Sequence, residues 1–463
     1  MPVIVGLGLG LASALAPGAL FLAGLACVIG LALYRSAEPA DRRFLVALFL
    51  GSFLLRVVLS LGLDLGSLRA EGLWPAKTAE VTEWSLGVTD VTRQYLKMGD
   101  SDYNSERGYA LDQFVRGHRE EPIVLLRLKQ NRPHGTLYVI GLFYHFFGFS
   151  PISVKWINGL AGALLGAVVF LLARSISGSS VARTASVLAS FFPSMLLWSV
   201  TNLKEPSFIL LAAVLLLLAV KIRQASRLRP ILLYGTVFAL ILGAHTTLRS
   251  DAGFSWLLAG CVLLSFPLSW MKSRWQLPAF ALLPAALWAA VVWIPAASEK
   301  LSFVFYRHIG NVYQDQTSMT YSYLPFSLDS NFWAMGLEKW AAMIRNDPRF
   351  LLQSVGRAVF HYLLEPLPER TGDLFTLTVL PQMILWYGLL PCAAWGMWVA
   401  LRRYPQGSPF LLTTAVAWTI AGGLAAGNVG LVFRVRDMVT PLFLIFSSIG
   451  IQSCLERLDR GVD

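Results

Sequence analysis

The chain is a succession of apolar runs, each about as long as a bilayer is thick, and this limits what it can fold into. The runs fall at about 12–34, 43–63, 152–173, 184–200, 206–222, 231–245, 253–270, 276–295, 378–401, 409–428 and 437–453. A helix needs roughly 20 apolar residues to cross the hydrocarbon core, and only helices or closed barrels satisfy their backbone there. The runs therefore predict an all-α polytopic membrane protein of roughly eleven crossings. Composition agrees: 56% of residues are hydrophobic and 14% charged, against about 25% charged in a soluble domain. We expect one transmembrane domain over 1–463, interrupted by two long polar loops at 64–151 and 296–377.

The net charge of +11 would suggest nucleic acid in a soluble chain, but here the positive-inside rule accounts for it. Arg35/Arg42/Arg43, Arg174/Arg183, Lys221/Arg223/Arg227/Arg229, Lys272/Arg274, Arg402/Arg403 and Arg457/Arg460 all fall in loops on one side. That side is expected to be cytoplasmic, which puts both long loops, and the short loops at 201–205, 246–252 and 429–436, on the outer face. The first charge is Arg35, so the N-terminus lacks the basic leader of a signal peptide. Cys27, Cys261, Cys392 and Cys454 lie in apolar or membrane-edge segments without metal-ligand spacing, so neither a zinc site nor a disulfide framework is expected. No GxGxxG or P-loop is visible, which argues against direct use of a nucleotide sugar or ATP.

The first long loop contains MGDSDYNSERGYALDQFVRG, with Asp100, Asp102, Glu106 and Asp112. As a helix this stretch would expose Asp102, Glu106 and Tyr109–Ala110 on one face, since residues three and four apart are neighbours. A carboxylate at a lipid–water boundary can act as a general base, because partial desolvation raises its pKa, and it can also hold a divalent metal ion. An acidic outer loop is equally what solvation alone would produce. After it, GTLYVIGLFYHFF is apolar but too short to cross, and reads as an interfacial helix.

Several stretches in order resemble the GT-C class of membrane glycosyltransferases, the protein mannosyltransferase and aminoarabinose transferase-like superfamily. The resemblance begins at Arg56 and continues through GDSDYNSERGYALDQF, where the family has an Asp followed by an aromatic and a small residue. Glu106 stands where the family has a Tyr, which leaves both Asp100 and Asp102 in play. PHGTLYVIGLFYHFFGFSPISVKWINGLAGALLG is similar to the family's amphipathic helix, Phe-Gly turn and next span. FFPSMLLWSVTNLKEPSFILL and GNVGLVFRVRDMVTPLFLI resemble its second acidic loop and its Arg-containing last loop.

The resemblance implies a glycosyltransferase that moves a sugar, hexosyl or pentosyl, from a polyprenyl-phosphate donor to a glycan, lipid or protein acceptor. Such an enzyme would sit in a bacterial inner or plasma membrane with its active site facing outward. It implies Asp102 or Asp100 as catalytic base, and Glu205, with Glu106, as further acidic groups for a metal or the acceptor. Arg434, Arg436, Arg249 and Lys204 would hold the phosphate, since outer short loops tend to lack Arg and Arg binds phosphate with paired donors. Each has a structural alternative. Glu205 precedes Pro206 at a helix start, where a carboxylate is favoured anyway. The arginines could bind headgroups or pair with Asp251 or Asp437. His134 and His245 read as structural. In the second loop, Asp347 and Pro348 start a helix whose apolar stripe would be Phe350, Leu351, Val355, Val359 and Leu363.

Two rival functions remain. A transporter or flippase of lipid-linked glycans predicts ionisable residues deep in several spans, and here Arg56 is the chief one. A polysaccharide polymerase or ligase would rely on Arg307, His308, Arg357 and His361 in the late outer loop.

Overall fold

The computed structural model describes residues 18–70, 99–118, 134–249, 252–280, 282, 348–367, 374–426 and 429–460. Asp251 and the segment 283–347, with Arg307, His308 and Asp347, lie outside them. Fifteen helices are named here among the described residues: α1 Ala19–Ser36, α2 Arg42–Ala70, α3 Gly99–Val115, α4 Gly135–Phe147, α5 Pro151–Ile176, α6 Ser179–Phe191, α7 Pro193–Ser199, α8 Glu205–Gln224, α9 Leu228–Thr247, α10 Gly253–Trp270, α11 Pro348–Leu364, α12 Leu374–Arg403, α13 Ser408–Ala425, α14 Val429–Arg436 and α15 Thr440–Arg460. Eight are long and apolar enough to span a bilayer, or nine if the bent pair α6–α7 counts as one span. The run at 276–295 lies mostly outside the described residues. Helix α15 is not among the eight, because its last turns carry Glu456, Arg457, Asp459 and Arg460.

The chain divides into two compact units: residues 1–172, 182–218 and 232–255, and residues 173–181, 219–231 and 256–463. In the first, α5 is the most buried span. Helices α1 and α2 pack on it through Ala26, Phe49, Leu160 and Ala163. Helices α1 and α4 meet it through Leu22, Phe143 and Trp156, whose Nε1 donates to Ser60 Oγ at 3.0 Å. Lys155 and Asp64 pair where α5 begins and the apolar part of α2 ends. Helices α6 and α7 are bent by 54° at Phe192, because Pro193 has no N–H to continue the ladder.

In the second unit, α12 and α15 cross at Gly396 and Gly450, where a Cβ on either would collide with the other helix's backbone carbonyl. Helix α11 packs on α13 through Ala358 and Tyr362, both fully buried against Gly422 and Gly423. The expected stripe is thus displaced: Val355, Val359 and Leu363 are only partly buried, and Leu352 and Phe360 are exposed. Small residues on α13 admit Tyr362 deeper than the bulky aliphatics can go.

Candidate functional site

Helix α3 does not expose the Tyr109–Ala110 face expected from its sequence. Ala110 is buried and Tyr109 packs with Leu137, Ile140, Tyr144 and Val154 of α4 and α5. Tyr109 and Tyr144 both meet Phe149 edge-on at 5.1 Å. The reason is the apolar side of α4, which needs cover and takes it from α3; the opposite side of α4 keeps Tyr138, Val139, Leu142 and Phe146 exposed, as an interfacial helix should.

One turn from its start, α3 docks on the loop 200–204. Asn104 Nδ2 donates to Asn202 O at 3.0 Å, and Asn202 Nδ2 donates to Ser105 Oγ at 2.5 Å. From the other side Asn158 of α5 donates to Thr201 O at 2.6 Å and Leu203 O at 2.8 Å. Side-chain amides thus satisfy the backbone carbonyls of a buried loop, which would otherwise cost desolvation. Asp100 and Asp102 lie in the first turn of α3. Their backbone is helical; their side chains are outside the described part.

The pinned loop delivers Lys204 and Glu205. Glu205 is the first residue of α8 and is fully buried. The α8 dipole favours its negative charge, and Arg249 approaches it, Nη1 to Oε1 3.9 Å. The Arg249 guanidinium lies between Phe208 and Phe254, 5.5 and 5.8 Å from their ring centres. Phe208 in turn stacks on His245 at 3.9 Å. His134, buried at the N-cap of α4, completes the group. Burial chiefly, and then the positive charges of Lys204, Arg107 and Arg249 against the opposing Glu205, lower its pKa to about 4. His134 is therefore neutral at pH 7 and sits in a net positive field.

Arg107, Lys204 and Arg249, with one carboxylate, come together from α3, the 200–204 loop and the end of α9. Arg107 was not picked out from sequence. Its signal is its spacing of three from Asn104, which puts it on the docked side of α3. Glu106, the neighbouring acidic residue, is half-buried. Asp112 is engaged elsewhere: its carboxylate accepts from Arg116 Nε at 2.8 and 2.9 Å and lies 3.0 Å from His145 Nδ1.

In the second unit, Arg436 is buried, and its Nη1 donates to Glu365 O at 2.8 Å and lies 3.4 Å from Tyr362 O and Leu363 O. The guanidinium packs over Phe433 and Trp386, at 4.4 and 5.3 Å. A cation on the C-terminal carbonyls of a helix is electrostatically favoured, so Nη1 of Arg436 is committed to the end of α11, while Nη2 faces Met383 Sδ at 3.3 Å. Arg434 is half-buried in the same unit. His361 Nδ1 lies 2.9 Å from Glu365 Oε1, next to that clamp.

Among the described residues, no group of three His, Cys, Asp or Glu is placed to hold a metal ion. Glu205 alone offers a carboxylate in the cluster around His134. Asp100 and Asp102, which would have to complete a donor set, are described by their backbone alone. All four cysteines are free.

Residues 131–295 match the model of the dolichyl-phosphate-mannose-protein mannosyltransferase family. The resemblance read from the sequence is borne out over this stretch, which contains His134, Lys204, Glu205 and Arg249. A comparison with curated protein sequences gives no match. Among solved structures, the chain is similar to the oligosaccharyltransferase AglB from Archaeoglobus fulgidus in complex with an inhibitory peptide and a dolichol-phosphate. The identity is 13% and the TM-score 0.41, covering 89% of this chain and 51% of that one. The oligosaccharyltransferase of the same organism tethered with an acceptor peptide gives 15% identity and a TM-score of 0.44, over 90% and 51%. The chain spans about half the length of these structures, and their activities and partners are not carried over to it.

Proposed function

We propose that the chain is an integral membrane glycosyltransferase that takes a sugar from a polyprenyl-phosphate-linked donor and transfers it to an acceptor hydroxyl at the outer face. The observation that carries this reading is that His134 and three of the four charged residues gathered around it, Lys204, Glu205 and Arg249, lie inside the stretch matched by the mannosyltransferase family.

The chemistry suits the arrangement. A sugar–phosphate bond already has a good leaving group, so the protein needs a base for the incoming nucleophile and positive charge for the departing phosphate. Lys204, Arg249 and Arg107 supply the positive charge on the first unit. Arg434 and Arg436 remain proposed phosphate ligands on the second. Asp102 or Asp100, at the start of α3, is the proposed base. Glu205 is the proposed second acidic residue: it keeps Arg249 oriented and offers an acceptor for a donor group on the incoming molecule. A divalent metal ion, if bound, would lower the leaving group's charge; the roles above do not pass through it.

The test is transfer of radiolabelled sugar from polyprenyl-phosphate donors in membranes containing the protein. The proposal expects label in an acceptor fraction. Donor-independent passage of labelled lipid across the bilayer without transfer would contradict it and favour the flippase.

A further inference from the structure

A second concentration of positive charge lies far along the chain, at the ends of α10 and α12. Lys272, Ser273, Arg274, Leu277, Trp398, Leu401 and Arg402 line a cavity of about 600 Å³. These residues belong to the second unit and to loops on the basic side of the sequence.

The cavity is held open by hydrogen bonds between the two helix ends. Ser273 Oγ donates to Leu401 O at 3.0 Å. Gln276, fully buried, donates through Nε2 to Leu268 O at 2.9 Å and Pro405 O at 2.8 Å. The turn 271–276 is thereby fastened to the end of α12, and the cavity does not depend on side chains alone. Its wall carries Arg402, whose guanidinium lies 4.0 Å over the ring of Trp398.

Elsewhere, Arg403 is 2.7 Å from Glu456, Arg183 is 2.7 Å from Asp41 and Arg116 is 2.8 Å from Asp112. Lys272, Arg274 and Arg402 have no carboxylate within ion-pair distance among the described residues, and no carboxylate lines the cavity. The positive-inside rule explains basic loops. It does not explain three cations from two separate loops around one carboxylate-free cavity with an apolar floor of Leu277, Leu401 and Trp398.

We propose that this cavity binds the phosphodiester headgroup of an anionic phospholipid. The cations take the phosphate, and the Leu and Trp surfaces take the glycerol and upper acyl chain. Basic pockets at the ends of spanning helices recognise headgroups in this way, and Trp sits at headgroup depth. The site is independent of the sugar-transfer reading, because every residue in it lies outside the cluster around His134.

The test is native mass spectrometry of the purified full chain in detergent, titrated with phosphatidylglycerol or phosphatidylcholine. Wild type is compared with the triple variant Lys272→Gln, Arg274→Gln, Arg402→Gln, and with Arg457→Gln, Arg460→Gln as a charge control. The proposal expects a phosphatidylglycerol adduct that is retained by the control and weakened on the order of a hundredfold in the triple variant, taking about fivefold per cation. These side chains are exposed, and the melting temperature without lipid, unchanged in the variant, verifies folding. Should the triple variant melt lower, Arg402→Gln alone, expected to weaken the adduct about fivefold, takes its place. Equal adducts in wild type and variant would overturn the proposal. So would displacement of the lipid by glycerol phosphate at equal concentration, which would assign the cavity to a soluble phosphate.

Discussion

Arg56 Nε donates to Ser199 Oγ at 2.7 Å, joining α2 to α7 in the interior of the first unit. The same guanidinium donates to Ser52 O at 3.1 Å, to Ser52 Oγ, and to Ser190 O at 2.9 Å. Ser190 stands just before the α6–α7 bend, so Arg56 gives its carbonyl a donor at the point where the helical ladder is interrupted. Its way in is cleared by Gly162 of α5, where a Cβ would lie 2.6 Å from Arg56 Nε and 2.8 Å from Ser199 Cβ. The residue that would mark a transport path in a rival reading here fixes the bend that leads into the 200–204 loop.

Two substitutions test this. Ser199→Ala removes one partner and should cost ~1–3 kcal/mol. Arg56→Met, which leaves three sets of acceptors unpaired, should cost more, and Arg56→Lys should not rescue it, because an ammonium lacks the planar fork. Melting temperatures in detergent measure both. Equal stability of Arg56→Met and wild type would contradict the clamp.

The Glu205–Arg249 pair predicts a non-additive cycle. Arg249→Ala leaves a fully buried carboxylate without its cation and should destabilise by about 3–5 kcal/mol. The double variant Glu205→Gln, Arg249→Ala should recover part of that loss. Strictly additive melting shifts would show that the 3.9 Å approach has no energetic consequence.

His134 gives the stability of the fold a pH dependence. Its folded pKa is lowered to about 4, below the ordinary value of about 6.5. Between those values the unfolded state binds more protons, so stability rises with pH across about 4 to 6.5 and is lost as the pH falls. His134→Gln should make the melting temperature fall less steeply with acid over that window. An unchanged slope would mean that another group titrates there.

Arg434 and Arg436 should separate. Arg436→Gln removes the clamp on α11 and should lower the melting temperature. Arg434→Gln should raise the KM for the donor about ten- to a hundredfold, the loss of one charge-assisted hydrogen bond to phosphate being ~1.5–3 kcal/mol. Reversal of the two effects would exchange their roles.

The spans were legible because a run of twenty apolar residues has one solution in a bilayer. Glu205 and Arg249 stood out because charge is scarce on their short loops, and the structure brings the two within 3.9 Å of each other. Arg107 was not, because what buries it is the docking of Asn104 on Asn202, a pairing 98 residues apart that no local period encodes. The face of α3 was misread for the same cause: its period gives which residues share a side, and only α4 decides which side is covered. The stripe of α11 was displaced by Gly422 and Gly423, small residues that a hydropathy pattern passes over. Arg436 stood out by its charge and place, but no local pattern shows that its Nη1 meets the carbonyls at the end of α11.

The central claim is that α3 carries the reacting base. It is tested by sugar transfer from a polyprenyl-phosphate donor in membranes, comparing wild type with Asp100→Asn and Asp102→Asn at equal inserted protein. The account predicts that one of the two variants loses transfer by at least a hundredfold while its melting temperature stays at the wild-type value. Transfer at the wild-type rate by both variants would contradict it.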